Sequence, residues 1–358
     1  MPKRKQLDGY LLFATLVCAL VGIALVWSAS APLARDYYRL PSWDFAYRQF
    51  LAWLLGTAVM LAVAMLPLDR LLTRTVAWTG LALTWVLLVV PYFQPEVAQT
   101  HRWLRLPFGS FQPSGLAKLT LPLALAVVLA ELPEKTREQH RPLSVAALFV
   151  GLTVALVYFE PDLGTALLLA GTSLAMLFVG GTNLPVLMGA GAAALGLGVV
   201  GILAEPYRLQ RFTSFLSGNS YQVQQALIAL GSGGFFGRGP GASVQKLFFL
   251  PQPHTDFIFA VAGEEMGFLG ATFLLAVLGF LVARCFKAAL ASPNRAGALL
   301  AVGLGTQLAL QTLLHVTVCL GLVPAKGIPL PLISAGGSDL LAHLVGLGLV
   351  LNVAKEGS

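Results

Sequence analysis

Charge is what this sequence has least of. Only 11% of its 358 residues are Asp, Glu, Lys or Arg, while 57% are hydrophobic, and the mean hydropathy is +0.78. Soluble domains carry about a quarter charged residues, so a water-soluble domain is excluded and the bilayer is the solvent the chain requires. Cysteine is nearly absent too. Cys18, Cys285 and Cys319 stand alone in or beside apolar segments, which excludes a disulfide framework and any paired-cysteine metal spacing. With only five histidines, none clustered with cysteine, no dedicated transition-metal site is expected and no metal ligand is assigned. Nothing in this pattern of charge points to nucleic acid.

What the chain has instead is long apolar runs. They fall near 10–29, 46–66, 72–92, 114–131, 142–159, 163–180, 184–204, 256–284, 296–323 and 333–354. This predicts an all-α integral membrane protein of ten transmembrane helices, one domain over 1–358, with a large outer loop near 205–255 between helices seven and eight. The first run follows Pro2-Lys3-Arg4-Lys5 and ends at Ser28-Ala29-Ser30-Ala31. It is longer than the roughly 7–15 residues of a signal-peptide core, so it is read as an uncleaved first helix. Those N-terminal cations place the N-terminus in the cytoplasm, and an even number of helices returns the C-terminus there.

On this topology 12 of the 23 Lys and Arg lie inside and 11 outside, so the usual inward bias is nearly missing. The outer cations are Arg35, Arg39, Arg48, Arg102, Arg105, Lys118, Arg208, Arg211, Arg238, Lys246 and Lys326. An anionic ligand at the outer leaflet would explain them; so would the weakness of the rule in a long loop.

The most informative stretch runs from Pro253 through His254-Thr255-Asp256-Phe257-Ile258-Phe259 to Gly263-Glu264-Glu265. Three of the chain's 16 acidic residues fall between Asp256 and Glu265, at the front of a spanning run. Ionisable groups there are costly unless compensated, and by default they mark a functional site. Asp256 is the candidate catalytic group. Glu264 and Glu265 lie deeper along the helix and are assigned to structure or proton balance.

Several shorter signals lie elsewhere. Gln112-Pro113-Ser114 precedes the fourth run, with Ser114 expected as the N-cap and Lys118 one turn inside, either snorkelling to the headgroups or functional. In Glu160-Pro161-Asp162-Leu163-Gly164-Thr165, Pro161 stops one helix and Asp162 caps the next. Six glycines between Gly231 and Gly241 suggest irregular backbone that approaches a ligand or gates a site, and a short interfacial helix is expected before them. Gln311 and His315, four apart, read as an interhelical hydrogen-bonding stripe.

Taken in order, Gln112-Pro113-Ser114 with Lys118, Glu160 to Thr165, His254-Thr255-Asp256-Phe257-Ile258-Phe259, and Lys326-Gly327-Ile328-Pro329-Leu330-Pro331 with Ser334-Ala335-Gly336-Gly337-Ser338 resemble the SEDS family, the shape, elongation, division and sporulation polymerases of the bacterial cell wall. Gly241 to Leu247 and Lys326-Gly327 resemble its FtsW type, whereas the compact length resembles its RodA type. Two positions depart from the family pattern: Gly115 stands where Glu is usual, and Ala335 where Tyr is usual. The missing carboxylate leaves Lys118–Asp256 as the simplest pairing for Lys118.

The resemblance implies a peptidoglycan glycosyltransferase, multi-pass in the bacterial cytoplasmic membrane, that joins lipid II into glycan strands at its outer face. It also implies undecaprenyl-pyrophosphate-linked glycan as a ligand and a class B penicillin-binding protein, a transpeptidase, as partner. The chemistry requires a base for the acceptor hydroxyl and positive charge for the departing pyrophosphate. Asp256 supplies the first; Arg102, Lys118 and Arg211 are candidates for the second, with Asp162, His254 and Ser338 as further substrate-binding positions. A divalent cation (Mg or Mn) shared between carboxylate and pyrophosphate oxygens stays open. The charges alone also fit a lipid II flippase or another transporter, although no internal repeat of the transporter kind is evident.

Overall fold

The computed structural model describes residues 6–94, 102–106, 109–132 and 140–357. Its first helix, α1 (Gly9–Pro32), is capped by Asp8, whose carboxylate accepts from the Leu11 N–H at 3.1 Å and also pairs with Arg284. Then follow α2 (Asp44–Met65), the single turn α3 (Leu68–Leu71), and α4 (Arg74–Val89), capped by the Thr73 hydroxyl. A two-stranded hairpin, β1 (Leu104–Leu106) and β2 (Gly109–Phe111), pairs antiparallel with Leu104 opposite Phe111. It leads into α5 (Ser114–Ala130), α6 (His140–Phe159), α7 (Leu163–Val179) and α8 (Leu184–Leu203). Two amphipathic helices come next, α9 (Pro206–Leu216) and α10 (Tyr221–Ser232). The chain closes with α11 (Ile258–Ala291), α12 (Arg295–Cys319, capped by Asn294) and α13 (Gly337–Glu356).

This is an all-α membrane protein. Among the described residues, α1, α2, α4, α6, α8, α11, α12 and α13 are long and apolar enough to cross a membrane. Helices α5 and α7 are as apolar but have 17 residues each. At about 1.5 Å per residue such a helix is roughly 25 Å long, slightly short of a ~30 Å hydrocarbon core. Helix α12 lies at the centre, against α5, α7, α11 and α13, and α13 packs along most of α2. At the periphery, α8 leans mainly on α7 and α9 and turns nearly all its side chains outward, as a lipid-facing helix does. The three cysteines are free and buried in apolar packing.

Two expectations are corrected at this level. Ser114 is the first helical residue of α5 and not its cap. The first N–H groups of α5 are satisfied by backbone, Gly115 to the Gln112 carbonyl and Leu116 to that of Pro113, so no side-chain cap is needed. The glycine-rich stretch is also not a loose loop. Gly267, at φ 68°, ψ −170°, breaks α11 two residues after Glu265. The glycine strap fills that break: Arg238 and Gly239 donate to the Glu264 and Glu265 carbonyls at 3.0 Å, while the Gly234 and Phe235 carbonyls accept from Phe268 and Leu269. A Cβ on Gly237, itself at φ 83°, would stand 2.2 Å from the Glu265 carbonyl oxygen. Backbone meets backbone there because neither side carries a side chain.

Candidate active site

Asp256 lies in an irregular turn just before α11, half-buried, two residues ahead of Ile258. That turn is tied to a second irregular segment, 326–336, which leads into α13. The Ala335 N–H donates to the His254 carbonyl at 2.9 Å, and the Ser334 hydroxyl donates to the Thr255 carbonyl at 2.6 Å. Gln49 of α2 clamps the same segment, donating to the Ser334 carbonyl and accepting from the Gly336 N–H. From the side of α12, Gln311 donates to the Pro329 carbonyl, and a ring nitrogen of His315 meets that of Ile328 at 2.8 Å. Gly327, at φ 42°, brings its backbone alongside the carboxylate of Asp256, so that a Cβ there would lie 3.4 Å from Oδ2. Polar side chains from inside the bundle thus fix both segments and, through them, the carboxylate.

Burial pushes Asp256 above the ordinary carboxylate range; the Thr255 hydroxyl and the positive charges of Arg102 and Arg211 pull it back. Arg102 precedes β1, and its buried Nε has no partner among the described residues. Arg211 projects from α9, its guanidinium 4.5 Å from the centre of the Tyr207 ring. A carboxylate and two guanidiniums therefore share one field, at the ends of three separate elements. Beside them Glu160 is fully buried, with neither oxygen partnered among the described residues. Burial raises its pKa to about 9, with Asp162 adding to the rise and Arg102 opposing it, so it is a neutral acid at pH 7.

Asp162 does cap α7, accepting from the Thr165 N–H at 3.0 Å, and it has a second partner in the Gln112 amide at 3.0 Å. The Gln112 N–H donates to Ser338 Oγ, also at 3.0 Å. Ser338, Gln112 and Asp162 thus form one chain across three helix ends. Lys118 is buried, which removes the snorkelling reading, and the expected pairing with Asp256 is replaced by another. Its ammonium donates to Asp339 at 2.5 Å and to Gln311 at 3.1 Å. His254 contributes its carbonyl rather than its ring. The imidazole is buried edge-on to Phe45, and burial lowers its pKa to about 4, so it stays neutral.

Glu264 and Glu265 serve the strap. Glu264 accepts from the hydroxyls of Ser232 and Ser243, the N–H groups of Val244 and Gln245, and Arg238. Glu265 is held by Lys246 at 2.7 Å and by Ser28 at 2.6 Å. Sequence reading missed Asp339. It is a carboxylate inside an apolar run, so the rule that singled out Asp256 applied to it equally. Among the described residues no three His, Cys, Asp or Glu side chains gather as a metal site.

Comparison with known proteins agrees along the whole chain. A family model described as "Cell cycle protein", covering FtsW, RodA and SpoVE, matches residues 9–358. Stage V sporulation protein E of Bacillus subtilis is 35% identical, with 99% of this chain and 98% of that protein covered. A probable peptidoglycan glycosyltransferase FtsW of Geobacter is 34% identical, with 98% of each covered. Among solved structures, a chain from a peptidoglycan synthase complex that coordinates polymerization and crosslinking superposes with a TM-score of 0.80 at 31% identity, covering 98% of each chain. The rod shape determining protein RodA of Thermus thermophilus gives 0.73 at 30% identity, covering 98% of this chain and 97% of that one.

Proposed function

We propose that this chain, which belongs to the FtsW/RodA/SpoVE family of cell cycle proteins, is a peptidoglycan glycosyltransferase of the bacterial inner membrane that polymerises lipid II. The observation that carries the chemistry is the Asp256 carboxylate, half-buried just outside an apolar helix and facing the charges of Arg102 and Arg211. A carboxyl with a raised pKa is a better proton acceptor than a free one. Asp256 takes the proton of the acceptor sugar's hydroxyl as that oxygen bonds to the anomeric carbon of the lipid-linked donor. The bond from that carbon to the pyrophosphate oxygen breaks, and pyrophosphate leaves on its polyprenyl carrier. Arg102, Arg211 and Lys118 offset the charge that develops there. Among the described residues the carboxylates do not gather as a resident metal site, and no step is routed through one.

The same reading assigns the rest. The chain forms one transmembrane domain of ten spans, the eight long helices with α5 and α7, and both termini face the cytoplasm. The segment from α9 to Asp256 lies on the outer face, with α9 flat at the interface: its Arg208 lies over Tyr158 of α6 at the edge of the bundle, while Arg211 stacks on Tyr207 of α9 itself. Ser338 and Asp162 border the substrate through Gln112, and His254 shapes the site by its backbone. The partner is a class B penicillin-binding protein that cross-links the emerging strand. Purified protein in detergent, given lipid II alone, tests the function because no transport is possible there. Polymerised glycan is the expected product, lost in Asp256→Asn; lipid II left unchanged in detergent while it crosses liposome bilayers would identify a flippase instead.

A further inference from the structure

We infer that Asp339 is the positioning carboxylate of this site: from α13 it holds the Lys118 ammonium of α5 at the point where that cation meets the substrate's pyrophosphate. The inference rests on the reading of Lys118 above and adds the residue through which Lys118 acts. Their side chains are 5% and 13% exposed and 2.5 Å apart. An ammonium buried in an apolar helix needs a counter-charge and hydrogen bonds to be retained as a cation. Only Asp339 supplies a carboxylate within bonding distance of Lys118 among the described residues.

The surroundings make the pair directional. Gln311 of α12 receives Lys118 on its carbonyl oxygen and presents its amide to both Asp339 oxygens at 3.3 and 3.1 Å. His343, one turn along α13, has Nε2 3.5 Å from Asp339 and 3.2 Å from the Gln311 oxygen. An ammonium has three donors; two are taken by Asp339 and Gln311, which leaves one for a ligand.

Gly115 explains why the carboxylate arrives from another helix. A residue three positions before Lys118 lies on the same face of α5, within reach of its ammonium. Here that position is glycine, and its missing Cβ would rest 3.4 Å from the Ser338 carbonyl oxygen, one residue from Asp339. Position 115 and Asp339 therefore border one interface, and the charge absent from α5 is supplied across it by α13. The start of α13 consequently fixes two parts of the site together, Lys118 through Asp339 and the Gln112–Asp162 chain through Ser338.

Lipid II polymerisation in detergent tests this with wild type, Lys118→Ala, Asp339→Asn and the double variant Gly115→Glu/Asp339→Asn, each with its thermal stability. We expect Asp339→Asn to lose kcat/KM by roughly 10- to 100-fold, the size usual for removing the orienting partner of a functional group. The double variant, with a carboxylate back beside Lys118, recovers most of that loss whatever its stability, which a packing defect would not do. An Asp339→Asn protein at wild-type rate beside an inactive Lys118→Ala protein overturns the inference, as does a loss that Glu at 115 leaves unrepaired. Full activity in Lys118→Ala overturns instead the reading of Lys118 on which it rests.

Discussion

Replacing Glu264 by Gln keeps the shape of the side chain and removes the charge that fastens the glycine strap. The carboxylate receives five donors. An amide has one oxygen, so whichever way it turns its NH2 must face groups that also donate. In the less damaging orientation the nitrogen takes the place of Oε2, the Ser243 hydroxyl reverses to accept, and the Gln245 N–H is orphaned. In the other, Val244 loses its acceptor and Arg238 faces the NH2; in both, the Arg238 ion pair is gone. A buried orphan costs about 1–3 kcal/mol, and the remaining bonds lose the extra strength of a charged acceptor. Arg238 is 42% exposed, so its ion pair adds little. The sum is a loss of roughly 2–4 kcal/mol, located at the strap. Hydrogen exchange resolved to residues 238–246, with thermal unfolding in detergent, measures it: we expect faster exchange at Val244 and Gln245 and activity per folded molecule close to wild type. Unchanged exchange and stability would refute the claim that this carboxylate organises the strap. A collapse of turnover in a fully folded variant would refute its separation from the chemistry.

Asp256→Asn keeps size and most hydrogen bonding but removes the base, and should lower turnover by roughly two to four decades, measured as glycan formed from lipid II at saturating substrate. Because burial raises Asp256, activity should climb with pH through a value above the ordinary carboxylate range near 4, and a limb at or below 4 in the rate profile would contradict the burial argument. Glu160 retains its proton to about pH 9 when folded, against an ordinary value of 4.5, so the native state binds more protons than the unfolded one between those values and stability falls as pH rises through that window. Glu160→Gln should abolish that fall and match wild type near pH 5, read from unfolding midpoints across pH; identical slopes in both proteins would mean the carboxyl is not held neutral. Gly237→Val places a Cβ against the Glu265 carbonyl at positive φ and should release the strap, giving fast exchange at Phe268 and Leu269, whose N–H groups it covers.

Sequence alone determined the membrane class and most helix positions and singled out Asp256 as the candidate base, because each rests on a local quantity. Hydropathy over some twenty residues selects a spanning helix, and one carboxylate at the front of such a run is improbable without function. Asp162 as a cap and Gln311 as an interhelical donor were legible for the same reason, since each role depends on neighbours one turn away or on an apolar setting. Pairing was not legible. Lys118 finds Asp339, 221 positions along the chain, only because α5, α12 and α13 converge, and no spacing in the sequence encodes that. The six glycines looked like freedom in one dimension; in three they are the condition for close contact, since the break at Gly267 and the strap at Gly237 each leave backbone groups that only the other satisfies. His254 entered as a substrate-binding position through the family resemblance; the fold buries its ring, neutral, against Phe45 and ties its carbonyl to the Ala335 N–H. Tertiary structure decided which charges meet and which groups are desolvated, because both depend on distances through space that the order of residues does not contain.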